Sequence, residues 1–338
     1  MTIKMIQNPD DFQNLRREWN ALLSISASRV PFLRHEYLTS WWETRGGGEW
    51  KRANLFILID RNTKGKLTGI APLFLHQDTL MFLGSHEISD YLDVIAHPDD
   101  LQSFLQKTFT FLAEESPQIW KKLDFYNLLE GSSTLPLIKE ISRSRGWEHT
   151  RDQIQPAPSL TLPANWDAYL DQLETRYRHE IERKIRRAEG YFLPVDWYMV
   201  EYRKDLEEEL AEFLKLMAHN DEKADFLTES MTSQLKSSVY QAFDNGWLQL
   251  AFLTVGDLKA AAYLNFDFNN RIWIYNSGLN PMFENISPGW VLLAHIIQNA
   301  IRSGKEAVDF MRGNEGYKYQ FGGIDRHVFR VQITRKDT

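Results

Sequence analysis

A repeated strand sequence is the feature that most constrains the fold. Leu123-Asp-Phe and Val308-Asp-Phe lie about 185 residues apart, and each follows a strand, a loop and a helix of similar length. In the first half these are Tyr91–Ala96 and a helix of roughly 18 residues from Pro98; in the second they are Arg271–Ser277 and Trp290–Arg302. A matched series of elements is stronger evidence of internal duplication than one short match. The sequence therefore predicts two related domains.

A linker between the two halves is predicted at Gln153–Ser159, which contains two prolines and shows no periodicity. The predicted domains are residues 1–152 and 160–338, in keeping with a chain too long for one ordinary core. Beyond the linker, Asn165–Glu189 is predicted as one long helix ended by Gly190. Three antiparallel strands with turn-forming pairs between them follow at Trp247–Val255, Lys259–Phe268 and Arg271–Ser277. The expected fold class is α/β (α+β), with mixed, mostly antiparallel sheets flanked by helices.

Composition excludes several classes of protein. The sequence contains no cysteine, so it has no disulfide framework, thiolate zinc site, iron–sulfur cluster or cysteine nucleophile. The net charge of −7 argues against a general nucleic-acid binder. Histidines without metal-ligand spacing predict no metal site. No run of about 20 apolar residues is present, and the N-terminus lacks the apolar core of a signal peptide, so we expect a cytoplasmic protein without a membrane span.

The segment Ser287-Pro288-Gly289 begins the predicted helix Trp290–Arg302, just after the strand that ends at Ser277. A helix start of this kind offers exposed N–H groups and the positive end of the helix dipole, which suit an anion such as the pyrophosphate of coenzyme A. The same residues also fit a well-capped helix that binds nothing.

Residues 309–323 follow the second Val-Asp-Phe strand and carry many chemically active side chains. Asp309, Arg312, Glu315, Tyr317 and Lys318 fall within ten residues, and two glycines between them permit sharp turns. A carboxylate could deprotonate an amine, a tyrosine could protonate a leaving thiolate, and a cation could hold an anion. A surface turn with local ion pairs is the other interpretation.

These two segments resemble the C-terminal part of the CelD-like acetyltransferases of cellulose biosynthesis. That family belongs to the GNAT superfamily and is related to the FemABX peptidyltransferases. Its pattern is a Tyr-x-Ser-Gly strand end, a Ser-Pro-Gly helix start and Asp-Phe-x-Arg-Gly-x-Glu-x-Tyr-Lys. The matching positions are Tyr275, Ser277, Gly278, Ser287, Pro288, Gly289, Asp309, Phe310, Arg312, Gly313, Glu315, Tyr317 and Lys318. The segments PFLRHEYLTSWWE, SDYLDVIAHP and RYRHEIERKIRRAE extend the resemblance over nearly the whole chain.

The resemblance implies two tandem GNAT-like domains and the transfer of an acetyl or other acyl group from acyl-CoA to an amine, such as an amino sugar or a polysaccharide precursor. On this hypothesis the donor lies across splayed strands of the C-terminal domain, and the amine attacks its thioester directly. The implied donor-binding residues are Tyr275, Asn276, Ser277, Gly278, Ser287, Pro288 and Gly289. The candidate catalytic residues are Glu315 or Asp309 as base and Tyr317 as acid, and Arg312 and Lys318 are substrate-binding candidates.

The N-terminal domain is expected to form the acceptor side, with its own donor site either retained or lost. Its Ser89-Asp-Tyr-Leu-Asp93 segment occupies the position equivalent to the C-terminal donor strand. Asp90, Tyr91 and Asp93 are therefore candidate acceptor contacts in a cleft between the domains. The aspartates are equally consistent with capping of the loop.

The chain departs from the GNAT superfamily in one respect. The usual pyrophosphate loop, Arg/Gln-x-x-Gly-x-Gly/Ala, is absent from both halves, and Glu284–Gly289 keeps only the final glycine. FemABX relatives use aminoacyl-tRNA, so a tRNA-dependent transferase is the first alternative. The helix Arg176–Arg187, with six Lys and Arg residues, would then bind the polyanion, although such a run also suits a solvated face. A non-catalytic module that binds a carbohydrate or nucleotide-sugar is the second alternative.

Overall fold

Two compact units make up the computed structural model, which describes residues 3–84, 87–116 and 119–335. One unit takes in the chain up to Pro156 and again from Arg326 onward, and the other is Ala157–Asp325. The division falls inside the predicted linker. The predicted C-terminal domain, 160–338, nevertheless extends too far, because its last strand belongs to the first unit.

Among the described residues up to Pro156, five helices and nine strands follow one another in the chain. The helices are α1 (Pro9–Gln13), α2 (Arg16–Leu23), α3 (His35–Thr44), α4 (Pro98–Glu114) and α5 (Thr134–Ser144). The strands are β1 (Lys4–Ile6), β2 (Asn54–Leu55), β3 (Ile57–Arg61), β4 (Leu67–Ala71), β5 (Leu73–His76), β6 (Thr79–Phe82), β7 (Ile95–Ala96), β8 (Lys122–Leu129) and β9 (Glu148–Pro156). A 3₁₀ turn covers Pro31–Leu33. Strands β1, β3, β4 and β7 form an antiparallel sheet.

The second unit contains one six-stranded sheet and seven helices. Its strands are β10 (Ser159–Thr161), β11 (Val195–Met199), β12 (Leu248–Val255), β13 (Leu258–Phe268), β14 (Arg271–Leu279) and β15 (Ala307–Asp309). Its helices are α6 (Trp166–Gln172), α7 (Thr175–Glu189), α8 (Leu206–Met217), α9 (Asp221–Phe226), α10 (Glu229–Asp244), α11 (Pro288–Arg302) and α12 (Gly316–Gln320). The sheet order is β10-β15-β14-β13-β12-β11, and only the β14–β15 pair is parallel. The predicted mixed, mostly antiparallel fold class is confirmed.

The core of the second unit has two layers because successive residues of a strand point to opposite faces of the sheet. On β13, Ala261 and Tyr263 pack with α7 and α11, whereas Ala262 and Leu264 pack with α8 and α10. Helix α8 supplies a matching apolar stripe, with Leu206, Leu210, Phe213 and Met217 buried at helical spacing. The sheet is thus covered on both faces and holds its strand ends rigidly.

The predicted helix Asn165–Glu189 is in fact two helices. Asn165 caps α6 by accepting a hydrogen bond from the Ala168 N–H at 2.8 Å. Leu173 and Glu174 then adopt extended backbone angles, which end α6 and allow α7 to begin in a new direction. Leu170 is buried before the break and Ile181 after it, so the two apolar faces meet the core separately.

The final strand, β16 (His327–Thr334), returns to the first unit. It pairs antiparallel with both β8 and β9, and so completes a second sheet of order β2-β5-β6-β8-β16-β9. The segment between β9 and β16, Ala157–Asp325, is the whole second unit. Sequence periodicity predicts a strand but not the strands with which it pairs. The pairing of β16 with β8 and β9 could therefore not be inferred from the sequence.

An ion pair joins β16 to β8. Arg330 binds Asp124 in a bidentate fashion, at 2.8 Å from Nε to Oδ1 and 2.7 Å from Nη2 to Oδ2. Burial alone would raise the pKa of the Asp124 carboxyl, but hydrogen bonds from Arg330, Gln332 and Lys122 outweigh it and hold that pKa below its ordinary value.

We expect Asp124→Asn to lower the free energy of unfolding by about 2 kcal/mol at pH 7, because it leaves the Arg330 guanidinium without its charged partner. Since the folded-state pKa lies below the unfolded value of about 4, this stabilisation is complete above pH 4 and is lost as pH falls through the folded pKa. Urea unfolding at pH 7 and at pH 3 measures both effects. Asp78→Asn is the control, since its 3.8 Å pair with Lys121 is exposed and should contribute little. Equal losses for the two variants would contradict the assignment.

Candidate active site

A cavity of about 520 Å³ lies where β14 separates from β15. The ladder between these strands covers only Arg271–Trp273 opposite Ala307–Asp309, while β14 continues to Leu279 alongside β13. The walls are the end of β14, the beginning of α11, the end of α8, and the side chains of Lys184 and Lys223. A volume of this size suits a small-molecule ligand.

The edge of β14 that β15 leaves unpaired faces the cavity. Asn280 donates its N–H to the Ala260 carbonyl at 2.9 Å, so residue 280 faces β13. Because antiparallel pairs alternate between bonded and non-bonded positions, Ser277 and Leu279 turn their peptide groups to the opposite edge, the one that β15 has left. Two backbone positions are thereby presented toward the cavity.

Side chains form hydrogen bonds with both the carbonyl group and the N–H group of Ser277. Lys223 Nζ donates to the Ser277 carbonyl at 2.5 Å and lies 3.4 Å from its Oγ. The Ser277 N–H donates to Asn276 Oδ1 at 2.8 Å. Burial lowers the pKa of Lys223, and the charge of Glu315 partly opposes this effect. A partly desolvated cation therefore stands at the strand edge where the cavity begins.

Lys223 was missed by the sequence analysis. It lies on α9, a six-residue helix in a stretch of the chain that carries no familiar motif. The one local signal is Asn220, whose side chain caps the helix by accepting a hydrogen bond from the Lys223 N–H at 3.0 Å.

The predicted donor-binding residues divide into two groups. Ser277, Gly278, Ser287, Pro288 and Gly289 all line the cavity. Tyr275 does not join them: it is the extra residue of a β-bulge opposite Leu264 and Asn265, and its ring packs 5.1 Å from that of Phe266. Asn276 contacts the site indirectly, because its Oδ1 accepts a hydrogen bond from the N–H of Ser277.

The start of α11 is shaped to face the cavity. Ser287 takes a left-handed conformation (φ 53°, ψ 57°), and its carbonyl accepts hydrogen bonds from the N–H groups of Trp290 and Val291. Gly289 packs closely on β14, since an added Cβ would lie 2.8 Å from Leu279 Cδ2, the end of an exposed side chain that would have to move aside. The positive end of a 15-residue helix is thus brought to the ligand side of β14.

Tyr263 and Glu315 lie close enough to Tyr317 to shift its pKa, and none of these three residues is among those that line the cavity. Tyr263 lies directly across from Ser277 on β13, so the two side chains share one face of the sheet. Burial raises the pKa of Tyr317, and the nearby Tyr263 and Glu315 raise it further. Tyr317 therefore keeps its proton at neutral pH and is suited to donate it.

Asp309 and Glu315, the two candidate bases, have different surroundings. Asp309 is 0% exposed, and its Oδ1 accepts a hydrogen bond from the Met311 N–H at 2.9 Å, which stabilises a left-handed turn at Met311. The Glu315 side chain is 57% exposed and lies 2.9 Å from Lys318 Nζ. Only Glu315 is accessible to an incoming amine, so the candidate base is Glu315 and Asp309 is corrected to a structural role.

Lys318 is also corrected to a structural role. It is 2% exposed, and its ammonium group donates to the carbonyls of Met311, Arg312 and Gly313 at 3.3, 2.6 and 3.4 Å. These bonds hold the turn that presents Glu315. Arg312 is half-buried in the same turn and stays a candidate substrate contact.

The predicted acceptor contacts of the first unit are mostly buried. Asp93 accepts hydrogen bonds from Ser132 Oγ and Thr134 Oγ1, both at 2.6 Å, and burial raises its pKa. It thereby fixes the connection between β8 and α5. Tyr91 is buried with its ring 6.4 Å from that of Phe32, whereas Asp90 is partly exposed. Of the three residues, only Asp90 is partly open to solvent.

Within residues 3–84, 87–116 and 119–335, no three His, Asp or Glu side chains lie together in a way that could hold a metal ion. No helix in these ranges has the length and apolar composition needed to cross a bilayer.

Comparison with known proteins supports the domain type. Residues 175–319, from the first turn of α7 to α12, match the family model described as an acetyltransferase (GNAT) domain. Among curated protein sequences, none matches this chain.

Solved structures resemble the whole chain. FemX covers 98% of this chain and 97% of its own at 10% identity, with a TM-score of 0.65. L-PGS from Bacillus licheniformis covers 98% and 93% at 11% identity, with a TM-score of 0.58. A tandem GNAT protein from the clavulanic acid biosynthesis pathway covers 99% and 100% at 11% identity, with a TM-score of 0.50. At these identities the likeness concerns the fold, and the predicted tandem GNAT-like architecture is confirmed.

Proposed function

Starting from a GNAT acetyltransferase domain over residues 175–319, we propose that this protein is an N-acyltransferase that moves an acyl group, in the first instance acetyl, from acyl-CoA to an amine. The observation that carries the proposal is the cavity at the free edge of β14 beside the start of α11. It combines a strand edge, a helix start and cationic side chains, as an elongated donor with an amide-containing arm and a phosphate end requires.

The donor fits this cavity in one direction. Its amide-containing arm would lie along β14, where Leu279 presents its peptide groups and Lys223 Nζ lies at the Ser277 carbonyl. Its phosphates would lie at the beginning of α11, at Ser287–Gly289. In this proposed arrangement the thioester would lie near Ser277, which pairs with Tyr263 on β13, and its carbonyl would have to reach past the cavity wall toward Glu315 and Tyr317.

The transfer needs two proton movements. The amine nitrogen attacks the thioester carbonyl carbon, a C–N bond forms, and Glu315 takes a proton from the nitrogen. The C–S bond then breaks, and the Tyr317 hydroxyl protonates the departing thiolate. Direct attack requires no acyl-enzyme intermediate, in keeping with a chain that has no cysteine.

The acceptor is proposed to be an amino sugar or an amine-bearing polysaccharide precursor. The CelD-like resemblance supports this choice, and Arg312 is the remaining candidate of the second unit that could recognise such a molecule. A panel of primary amines that includes amino sugars, assayed for thiol release from acetyl-CoA, identifies the acceptor class.

Calorimetric titration tests the donor. We expect acetyl-CoA to bind one site on the folded protein with a dissociation constant of about 1 μM to 1 mM, the usual range for enzyme substrates. Longer acyl-CoAs titrated in parallel define the chain length. Absence of binding heat from every acyl-CoA at millimolar concentration, with folding verified by circular dichroism, would overturn the proposal.

An aminoacyl-tRNA donor is the second candidate, favoured by the exposed arginines of α7. The Arg176, Arg183 and Arg186 side chains are 69%, 47% and 66% exposed, although Glu174, Glu180 and Glu182 pair with them. This candidate requires tRNA binding that weakens steeply with salt. It also requires charge reversal of Arg183 and Arg186 to weaken that binding, and unchanged affinity would count against it. A non-catalytic carbohydrate-binding module would bind sugars and release no thiol with any amine.

A further inference from the structure

Lys184 differs from the other basic residues of α7. Its side chain is only 13% exposed, whereas the neighbouring arginines reach into solvent. Its Nζ stands 3.6 Å from the centre of the Trp290 ring and 3.4 Å from Glu180 Oε1. The exposed arginines of α7 face solvent, but Lys184 lines the donor cavity.

Trp290 fixes where this charge lies. It is the third residue of α11, so a cation held over its ring stays within the first turn of that helix. Because Lys184 and Trp290 belong to different helices, α7 and α11, their contact sets the ammonium group beside Ser287–Gly289 in the cavity wall.

The usual glycine-rich loop is missing at this place. The segment before α11 is instead a 3₁₀ turn, Pro281–Ile286, and it puts the Glu284 carboxylate into the cavity wall. The start of a helix contributes the equivalent of about half a positive charge, which one carboxylate exceeds. Backbone groups alone therefore leave this end of the cavity unfavourable for a phosphate.

Lys184 restores a positive potential there. Its ammonium group lies 3.4 Å from Glu180, which also pairs with Arg183 at 2.7 Å, so the two cations together outweigh that carboxylate and add positive charge beside Glu284 and the helix start. Burial lowers the pKa of Lys184, so its ammonium group has already given up part of its hydration and loses little more on meeting a phosphate oxygen.

We propose that Lys184, held over Trp290, is the phosphate-contacting residue of the donor site and takes the place of the missing glycine-rich loop. The inference rests on the proposed function, since it assigns one end of the same cavity. The chemistry it requires is a phosphate ester. Coenzyme A supplies this as a pyrophosphate, and the 3′ end of an RNA supplies it as phosphodiesters.

The test compares CoA with pantetheine, which lacks the phosphates. We expect Lys184→Gln to weaken CoA binding about 10- to 100-fold, the loss of one charge-assisted contact, and to change pantetheine binding less than twofold. Lys184→Arg should keep CoA affinity within about fivefold, since it retains the charge. Lys215→Gln is the matched control: it removes the same charge from a lysine that is 70% exposed and pairs with Glu212.

The outcomes separate the two proposals. Wild-type CoA binding that Lys184→Gln leaves unchanged overturns the role of Lys184 and leaves the acyl-CoA donor standing. Equal losses for CoA and pantetheine indicate a general disturbance of the cavity and also overturn it. If the wild-type protein does not bind CoA, a CCA-ended RNA oligonucleotide is titrated instead. A loss of RNA binding that is confined to Lys184→Gln supports the phosphate contact with the other donor. If the wild-type protein binds neither CoA nor the RNA oligonucleotide, both proposals are overturned.

Discussion

Tyr317→Phe should lower kcat about 100- to 10,000-fold and leave the affinity for acetyl-CoA within about twofold. The hydroxyl is the group we assign to protonate the thiolate, and its removal deletes that proton while keeping the ring that packs on Phe310 at 6.4 Å. Because burial, Tyr263 and Glu315 raise the pKa of Tyr317, the hydroxyl is protonated throughout pH 6–9, and the loss should be constant over that range.

The measurement is thiol release from acetyl-CoA with whichever amine the wild-type protein acylates, together with calorimetry of the variant. Tyr319→Phe is the matched control. Its hydroxyl lies 2.9 Å from Asp325 Oδ1 in an exposed turn, so its loss should change kcat less than twofold. A Tyr317→Phe variant that keeps the wild-type rate would remove the tyrosine from the mechanism.

Gly278→Ala should destabilise the protein by about 3 kcal/mol, which lowers Tm by roughly 6–12 °C, and should abolish donor binding. A Cβ at this position would lie 2.6 Å from the Leu216 carbonyl carbon and Cβ and from the Met217 nitrogen. Two of these three atoms belong to the backbone of α8, so a rotamer change cannot relieve the clash. The helix must move away from β14, and the cavity wall moves with it.

Thermal unfolding and acetyl-CoA titration measure the two effects. Gly316→Ala serves as the stability control, since a Cβ there meets nothing within 4 Å and the residue begins α12. It should change Tm by no more than about 2 °C. An unchanged Tm for Gly278→Ala would contradict the close packing of α8 against β14.

Elements with strong local signals were predicted closely. The three strands predicted at Trp247–Val255, Lys259–Phe268 and Arg271–Ser277 agree with β12–β14 within about two residues. The turn between β13 and β14 uses Asn269 and Asn270, both with positive φ, as the paired asparagines indicated. Period and turn chemistry are local properties, so they can be inferred from the sequence.

The site was predicted in part for the same reason. Ser277, Gly278 and Ser287–Gly289 lie next to regular elements and do line one cavity. Lys184 and Lys223 reach that cavity from other helices, and side-chain packing between elements distant in sequence leaves no local pattern. Likewise, the burial of Asp309 and Lys318 depends on contacts around their turn, and residue type alone gave them a catalytic or binding interpretation.

The return of β16 to the first unit has a consequence for the order of folding during synthesis. Strands β8 and β9 are made by residue 156, but the strand that lies between them leaves the ribosome only after Ala157–Asp325. For that time the first unit carries two unpaired strand edges, which can pair with other chains. The second unit is continuous in sequence and can complete its sheet first. The unit that begins the chain is therefore the last to close.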